Sequence, residues 1–170
     1  HERKTADLRT FYEPAVAPPT HVDTDRTFSD VSPQAAIAWR LGSGRMAYAS
    51  VGRGFKAGGF NPASPIGSES YQEEHAWNAE GGLKTVWARG RLSANAAVFR
   101  IRWDDMQLNV PNPDVPAQFY IANVGGARST GMEVEVNARP RAGVDLFGAL
   151  GIIHARFGAG RVVSPGNEET

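Results

Sequence analysis

The sequence contains no cysteine among its 170 residues, so it can hold neither a disulfide framework nor a thiolate zinc site. Its net charge is zero, with 18 basic and 18 acidic residues, which gives no electrostatic reason to expect nucleic acid as a partner. No apolar run approaches the roughly 18 residues typical of a membrane-spanning helix. The chain is long enough for one domain, and its 19 glycines and 11 prolines favour β structure.

Residues 54–61 read GFKAGGFN and have the glycine content of a phosphate-binding loop. The glycines are wrongly spaced for a dinucleotide fingerprint, and no Gly-Lys-Ser/Thr follows, so nucleotide binding is not predicted. Prolines at positions 62 and 65 also argue against a helix opening there. We expect a strand that runs into a loop, with the glycines letting the chain bend as it leaves the sheet.

Apolar and polar residues alternate with a period of two along much of the chain. In GMEVEVNAR, residues 131–139, Met132, Val134 and Val136 take one face and Glu133 and Glu135 the other, which predicts a strand with one apolar and one wet face. About seven strands are predicted. They lie at residues 34–41, 45–56, 77–87, 91–98, 119–124, 131–139 and 144–157. The polar run 2–12 indicates only the upper part of a further strand.

Short and long connections alternate between these strands. Tight turns are predicted at 41–44, 88–90 and 139–143, and long, proline-rich connections at 13–27, 58–70, 111–117 and after 157. This is the pattern of an antiparallel meander with one plain and one elaborated end, as in outer-membrane barrels with short periplasmic turns and long extracellular loops.

Two tryptophans on one face support a membrane setting. Trp77 and Trp87 are ten residues apart, roughly 34 Å along a strand and roughly 26 Å along the membrane normal at a tilt of about 40°. That projection matches the apolar band of about 25 Å between aromatic girdles. A soluble sandwich would instead pack both rings into a dry core between two sheets.

Several segments in order resemble the TonB-dependent outer-membrane receptors. They are FSDVSPQAAIAWRL, MAYASVGRGFKAGGFN, HAWNAEGGLKTVWARGRLSANAAVFRIRWDDMQL and IANVGGARSTGMEVEVNARPRAGVDLFGALGIIHARF. The resemblance implies an all-β antiparallel meander that is a section of a 22-stranded transmembrane barrel in the bacterial outer membrane. Residues 1–170 would be an interior part of that barrel domain, with the plug domain and the C-terminal strands absent. The first residue is His1, which also suggests a mature or excised fragment.

The resemblance further implies active import of ferric siderophores or a similar scarce nutrient, energised through TonB. The chain would supply wall and loops, with outer-membrane lipid, the plug and, through the missing N-terminal part, the TonB complex as partners. We expect no enzyme activity, no cofactor and no metal site, because no catalytic constellation stands out and the four histidines are scattered. The acidic pairs Asp104–Asp105 and Glu73–Glu74 are expected to be solvated.

Candidate site residues fall into two groups. Basic and aromatic residues that flank the long loops suit anionic, catecholate-like chelates; they are Arg53, Phe55, Lys56, Phe60, Tyr71, Phe119 and Tyr120. The expected lumen-facing residues are Asn78, Glu80, Lys84, Glu133 and Glu135, for which a wet wall against the plug is the simpler role and a substrate contact the alternative. A passive porin and a soluble β-sandwich adhesion module remain alternative functions.

Overall fold

The computed structural model describes residues 2–10, 20–62, 64–158 and 162–163. These ranges are almost entirely antiparallel β structure, with one three-residue 3-10 turn at Ala88–Gly90. Within them, no helix has the length and apolar character needed to cross a membrane. Their strands are β1 (Glu2–Thr10), β2 (Thr20–Phe28), β3 (Gln34–Gly42), β4 (Arg45–Lys56), β5 (Gly59–Phe60), β6 (Ser70–Tyr71), β7 (Glu74–Trp87), β8 (Leu92–Asp104), β9 (Gln107–Pro111), β10 (Phe119–Val124), β11 (Ala127–Arg141), β12 (Val144–Phe157) and β13 (Val162–Val163).

Six long strands form the main sheet in the order β12-β11-β8-β7-β4-β3. Every neighbouring pair is antiparallel. The strands β5, β6, β9 and β10, which do not belong to this sheet, lie inside its long connections. The predicted meander is therefore confirmed. The sheet does not close on itself within the described residues, and β3 and β12 form its two edges.

All three hairpin turns of the main sheet lie at one end, which we call the turn end. They join β3 to β4, β7 to β8 and β11 to β12. The first of them requires glycine at position 44, because its φ is +72° and an added Cβ would lie 2.6 Å from the carbonyl oxygen of Val86. The long connections lie at the opposite end, called the loop end, so the predicted alternation of short and long connections is confirmed.

The strand register gives the main sheet two different faces. On one face, which we call the outer face, cross-strand partners form two apolar rows near the middle of the sheet. The rows are Ile152–Met132–Val98–Gly81–Ala49–Ile37 and Leu150–Val134–Ala96–Leu83–Ala47–Trp39. The other face, called the inner face, carries the charged residues of the same strand segments. Trp77 is 42% exposed and Leu83 41%, and no second sheet covers them in the described part of the chain. The soluble sandwich is therefore wrong for this chain.

The structure corrects the predicted strand bounds. β7, β8 and β11 extend further toward the loop end than predicted. In β8 the period of two continues through FRIRWD, residues 99–104, but there the apolar residues lie on the inner face. Both long connections of the main sheet contain short strands of their own, and the segment after Phe157 contributes β13, so the described residues hold thirteen strands rather than about seven. Residues 159–161 and 164–170 of that tail lie outside the described residues.

The first strand pair was predicted only in part. β2 falls in the segment predicted as a loop at 13–27, yet it pairs with β1 along its whole length, from Glu2 opposite Phe28 to Thr10 opposite Thr20. The sequence THVDTDRTF has few apolar residues, so it gives no alternation signal. Its threonines and valine nevertheless favour extended backbone. Residues 11–19 lie outside the described residues.

Candidate ligand-binding loops and inner wall

Two long connections at the loop end fold into small hairpins of their own. Residues 57–73 contain the pair β5–β6, with Gly59 opposite Tyr71. Residues 105–126 contain the pair β9–β10, with Phe119 opposite Pro111, and β13 adds to the free side of β10. We call these segments the first loop and the second loop. Backbone pairing within each loop gives it a defined shape rather than an open tether.

Gln107 joins the second loop to the first. Its side-chain Nε2 donates to the carbonyl oxygens of Ala57 at 3.1 Å and of Gln72 at 3.0 Å. Its backbone N–H donates to the carboxylate of Glu74 at 2.8 Å. The prediction that Glu74 is merely solvated is therefore wrong, because its carboxylate, at the start of β7, accepts from a backbone donor of the second loop.

Asn123 makes a second junction between the same loops. Its Nδ2 donates to the Gln72 carbonyl at 3.1 Å and to the Asp105 carbonyl at 2.8 Å, while its Oδ1 accepts from the Gln72 N–H at 2.7 Å. The side chain is buried, at 3% exposure. A buried amide left without partners costs about 1–3 kcal/mol, so these bonds hold the two loops in one arrangement.

A third buried amide, Asn61, bonds to the backbone of Ile121 in the second loop and to Ser68 in its own loop. Among the predicted ligand residues, Phe60 precedes Asn61 and Tyr120 precedes Ile121 in the chain. This junction therefore brings the backbones of Phe60 and Tyr120 close together. Phe119 is 62% exposed, which leaves its ring accessible to a ligand.

The adjacent glycines of GFKAGGFN are required by close packing. A Cβ on Gly58 would lie 2.3 Å from the Tyr71 carbonyl oxygen and 2.6 Å from the Phe28 ring. A Cβ on Gly59 would lie 2.5 Å from the Tyr71 hydroxyl. Neither glycine has a positive φ, so close packing, and not a left-handed backbone conformation, is what requires glycine at these two positions. Burial under this contact raises the pKa of the Tyr71 phenol.

Arg53 and Phe55 lie on the outer face of β4 and contact other side chains. Arg53 forms a salt bridge with Asp30 and donates from Nη2 to Nδ1 of His75 at 2.9 Å. The Phe55 and His75 rings lie 5.7 Å apart between centroids. Lys56 points to the other face and is exposed. The structure therefore does not gather all seven predicted ligand residues into one site.

The inner face of the sheet carries a polar concavity. It has a volume of about 360 Å³ and is lined by Tyr48, Lys84, Asn95, Glu133 and Glu135, with neighbouring backbone. Tyr48 donates its hydroxyl to Glu80 at 2.6 Å, and the Lys84 ammonium lies 5.4 Å from the centre of the Tyr48 ring. The predicted lumen-facing residues other than Asn78 therefore lie around one tyrosine.

Space for that tyrosine comes from a glycine on the next strand. A Cβ on Gly82 would lie 2.5 Å from Cε1 of Tyr48, so the ring lies flat against the β7 backbone. Asn78 shares this face but lies nearer the loop end, in a row with Ser129 and Ile101. The concavity holds more acid than base, so it suits cationic or hydrogen-bonding groups rather than a bare anion.

Sequence reasoning missed the three buried amides and a row of arginines. Asn61, Gln107 and Asn123 lie in loops where the sequence shows no periodicity, and only their long-range partners reveal their role. The arginines Arg102, Arg128 and Arg156 come near the loop ends of three strands, and become neighbours only through the register. Among the described residues, no group of three or more His, Asp or Glu is placed to hold a metal ion.

A family model described as TonB dependent receptor-like, beta-barrel matches residues 3–167 of this chain. Solved structures with a similar backbone include the ferric yersiniabactin uptake receptor of Yersinia pestis, which is 24% identical with a TM-score of 0.68. The alignment covers 82% of this chain and 21% of that receptor's chain.

Another is the ferripyoverdine receptor of the Pseudomonas aeruginosa outer membrane, which is 19% identical with a TM-score of 0.60. The alignment covers 95% of this chain and 21% of that receptor's chain. The alcaligin outer-membrane receptor of Bordetella pertussis is 17% identical with a TM-score of 0.55, over 85% of this chain and 26% of its own. These structural likenesses show the fold. The chain spans about a fifth to a quarter of the length of each of these proteins.

Proposed function

Because the chain belongs to the TonB-dependent receptor-like β-barrel family, we propose that it forms wall strands and extracellular loops of an active transporter. Family membership also places the chain in the bacterial outer membrane. The proposed cargo is a ferric siderophore or a similarly scarce nutrient, and the proposed energy source is the TonB complex. We propose a role in transport rather than in catalysis for this chain, since its family is one of transport receptors.

The two faces of the main sheet are the observation that carries this proposal. Apolar rows cover the middle of one face, and Val98 in one of them is 61% exposed, as expected of a side chain that meets lipid. The opposite face has a charged concavity around Tyr48. A sheet with lipid on one side and an aqueous lumen on the other needs this arrangement.

Two features support the proposal that residues 1–170 are an interior section of a larger barrel. The chain spans only 21–26% of the length of the three similar structures. The edge strands β3 and β12 have open hydrogen-bonding edges within the described residues, which further barrel strands would satisfy. A plug in the lumen of the full barrel would then contact Glu133 and Glu135.

The joined loops support a role in ligand capture. The first and second loops are held together by Asn61, Gln107 and Asn123, so a ligand would meet a surface that is already ordered. Preorganisation reduces the entropy lost on binding. We propose Phe119 and Tyr120 as stacking contacts for an aromatic chelate, with Lys56 as a cation nearby. The similar structures are those of receptors for ferric yersiniabactin, ferripyoverdine and alcaligin.

Uptake by cells that lack their other siderophore receptors tests the proposal. The full-length protein that carries these residues should restore accumulation of at least one radiolabelled ferric chelate from a broad panel. Accumulation should stop when TonB is deleted or the proton-motive force is collapsed, because the plug would no longer be pulled aside.

A passive porin would behave differently in the same experiment. Its solute flux would continue without TonB, and liposomes containing it would swell in small sugars. Free swelling of liposomes, together with failure to accumulate any chelate in the panel, would overturn the proposed function in favour of the porin.

A further inference from the structure

Toward the loop end, beyond the concavity around Tyr48, the inner face of the main sheet becomes apolar. Ala97 on β8 lies directly opposite the inward-facing Glu133, so every second residue after Ala97 on that strand also faces inward. The same phase continues across the register to β12. We call this surface the inner apolar band; it consists of Phe99, Ile101 and Trp103 on β8 with Ile153 and Phe157 on β12.

Small residues flank the band and keep the wall beside it flat. Gly131 on β11 is the register partner of Phe99, and a Cβ there would lie 2.6 Å from Cζ of that ring. The Phe99 ring therefore lies against the β11 backbone. On the other side of β8, Trp103 pairs with Ala76, which pairs in turn with Gly54. The band is thus a shallow surface that can take a flat group such as an aromatic ring.

The cations near the loop end of the main sheet point away from the band. Those on the outer face are Arg53, Arg100 and the arginine row Arg102–Arg128–Arg156. Arg53 is also paired with Asp30. An anion on the inner side would therefore meet none of these guanidinium groups, although they lie at the level of the band.

The inward-facing charges at this level are few and mostly acidic. In the register rows that contain the band, Glu80 is the one charged group among the described residues, and it accepts from the Tyr48 hydroxyl at 2.6 Å. Lys56, nearer the loops, lies directly opposite Glu74. The wall therefore offers an anion little counter-charge, and the acidic concavity lies on the turn-end side of it.

We propose that the inner apolar band selects a ferric chelate of low net charge with aromatic groups over a polyanionic tris-catecholate. This inference rests on the proposed transport function and names the class of its cargo. A polyanion would lose water against the band without gaining a counter-charge, and Glu133 and Glu135 would repel it. An aromatic ligand of low charge would instead cover Trp103, and burial of the two apolar surfaces favours binding.

The chemistry of such a chelate differs from the catecholate-like cargo that Arg53 and Lys56 suggested in the sequence. Arg53 faces outward and has a carboxylate partner, so it does not attract an anion into the lumen. Neutral nitrogen donors in place of some anionic oxygens lower the charge of a ferric complex. Phenolate groups among the remaining donors supply the aromatic rings that the band would contact.

The uptake experiment tests this inference when its panel is composed of three classes of ferric chelate. These are low-charge complexes with phenolate and nitrogen donors, polyanionic tris-catecholates, and tris-hydroxamates without aromatic rings. The chelate that the full-length protein accumulates fastest should belong to the first class. Fastest TonB-dependent accumulation of a chelate from either other class would overturn this inference and leave the transport proposal standing. No TonB-dependent accumulation of any chelate would overturn the transport proposal itself.

Two variants of the band give a second readout in the binding of the preferred chelate. Trp103→Ala should weaken its binding about tenfold or more, as is common for central aromatic contacts. Ile101→Lys adds an inward-facing cation and should raise the affinity for a tris-catecholate, relative to the preferred chelate, by about fivefold or more. If either variant fails to assemble, Phe157→Ala or Phe157→Lys makes the same test at a position that is 69% exposed.

Arg100→Gln is the matched control, because position 100 lies between Phe99 and Ile101 but is exposed on the outer face. Loss of this charge should leave both affinities within about twofold of those of the natural protein. Equal loss of chelate affinity in Arg100→Gln and Trp103→Ala would overturn the inference. Unchanged affinity in Trp103→Ala, with lower stability against urea, would show that the plug covers the band and would overturn it as well.

Discussion

The side-chain amide of Asn61 pairs with the backbone of Ile121 through two hydrogen bonds. Its Nδ2 donates to the Ile121 carbonyl at 2.9 Å, and its Oδ1 accepts from the Ile121 N–H at 2.9 Å. The same Nδ2 donates to the Ser68 carbonyl at 2.9 Å. Asn61 thus acts as a strand neighbour for a residue 60 positions away, and its hydrogen bonds join the two loops into one unit.

Replacing Asn61 with alanine should loosen this unit without unfolding the sheet. The substitution deletes three hydrogen bonds and leaves the Ile121 N–H without its partner, at a cost of about 1–3 kcal/mol. Opening of this kind is local, so it should appear in hydrogen exchange rather than in global unfolding. The Ile121 amide should exchange roughly 5- to 150-fold faster in the full-length protein.

Asn109→Ala is the matched control for this prediction. Asn109 is the register partner of Ile121 in β9, but its side chain is exposed, so the substitution leaves the backbone pairing in place. Exchange at Ile121 should stay within about twofold of the natural protein. Similar acceleration in both variants would show that Asn61 does not join the loops.

Glycine at position 58 should be far less replaceable than glycine at position 54 in the same motif. Gly58→Ala would place a methyl group 2.3 Å from the Tyr71 carbonyl oxygen and should destabilise the first loop by about 1–3 kcal/mol through overpacking. In contrast, the nearest atom to a Cβ on Gly54 is 3.9 Å away. Gly54→Ala should be neutral or stabilise the protein by about 0.4–1 kcal/mol.

Limited proteolysis of the first loop measures this difference, because the rate of cleavage reports local opening. Gly58→Ala should be cut faster than the natural protein, and Gly54→Ala should not. Equal resistance in both variants would contradict the assignment of Gly58 to a close-packed contact with Phe28 and Tyr71.

The sheet was predictable because the polarity of each of its residues follows from the face of the sheet on which that residue lies. Residues such as Met132 and Glu133 alternate because one face meets lipid and the other meets water, and this constraint acts within a single strand. The predicted alternation, hairpin turns and outer-membrane setting therefore hold. β2 was missed because its polar residues carry no such constraint.

The loop junctions and the arginine row could not be predicted in the same way. Gln107 donates to carbonyls of residues 50 and 35 positions away, and nothing near it in the chain identifies those partners. Arg128 is unremarkable within ARST until the register places Arg102 and Arg156 beside it. Both features depend on pairing between distant segments, which local pattern does not specify.

Phe119 should contribute a large share of the free energy of ligand binding if the proposed function holds. Its ring is 62% exposed on a loop fixed by buried amides, so a stacked chelate would cover it without reordering the loop. Phe119→Ala should weaken binding of the transported chelate by about tenfold or more, as is common for aromatic contacts at the centre of an interface.

The matched control is Phe147→Ala, since this ring is 69% exposed but lies at the turn end. Isothermal titration with the chelate identified by uptake should show unchanged affinity for this variant. Unchanged affinity for Phe119→Ala as well would remove Phe119 from the binding surface, although the transport proposal would stand on the uptake result.

The assignment of the two faces predicts opposite responses to lysine at adjacent positions of β8. Val98→Lys would place a charge in an apolar row, between the levels of Trp77 and Trp87, and should cost about 2–4 kcal/mol near the bilayer midplane. Ala97→Lys would place the same charge in the inner concavity, directly opposite Glu133. Because water and an acidic partner are available there, it should cost less than about 1 kcal/mol.

Urea unfolding of the full-length protein refolded in lipid vesicles measures both costs. A one-residue shift in position changes the face, keeps the strand and the charge, and alters the distance from the turn by only about 3.4 Å. A larger loss from Ala97→Lys than from Val98→Lys would reverse the two faces, and the arginine row would then lie in the lumen. Equal losses would mean that neither face of β8 meets hydrocarbon.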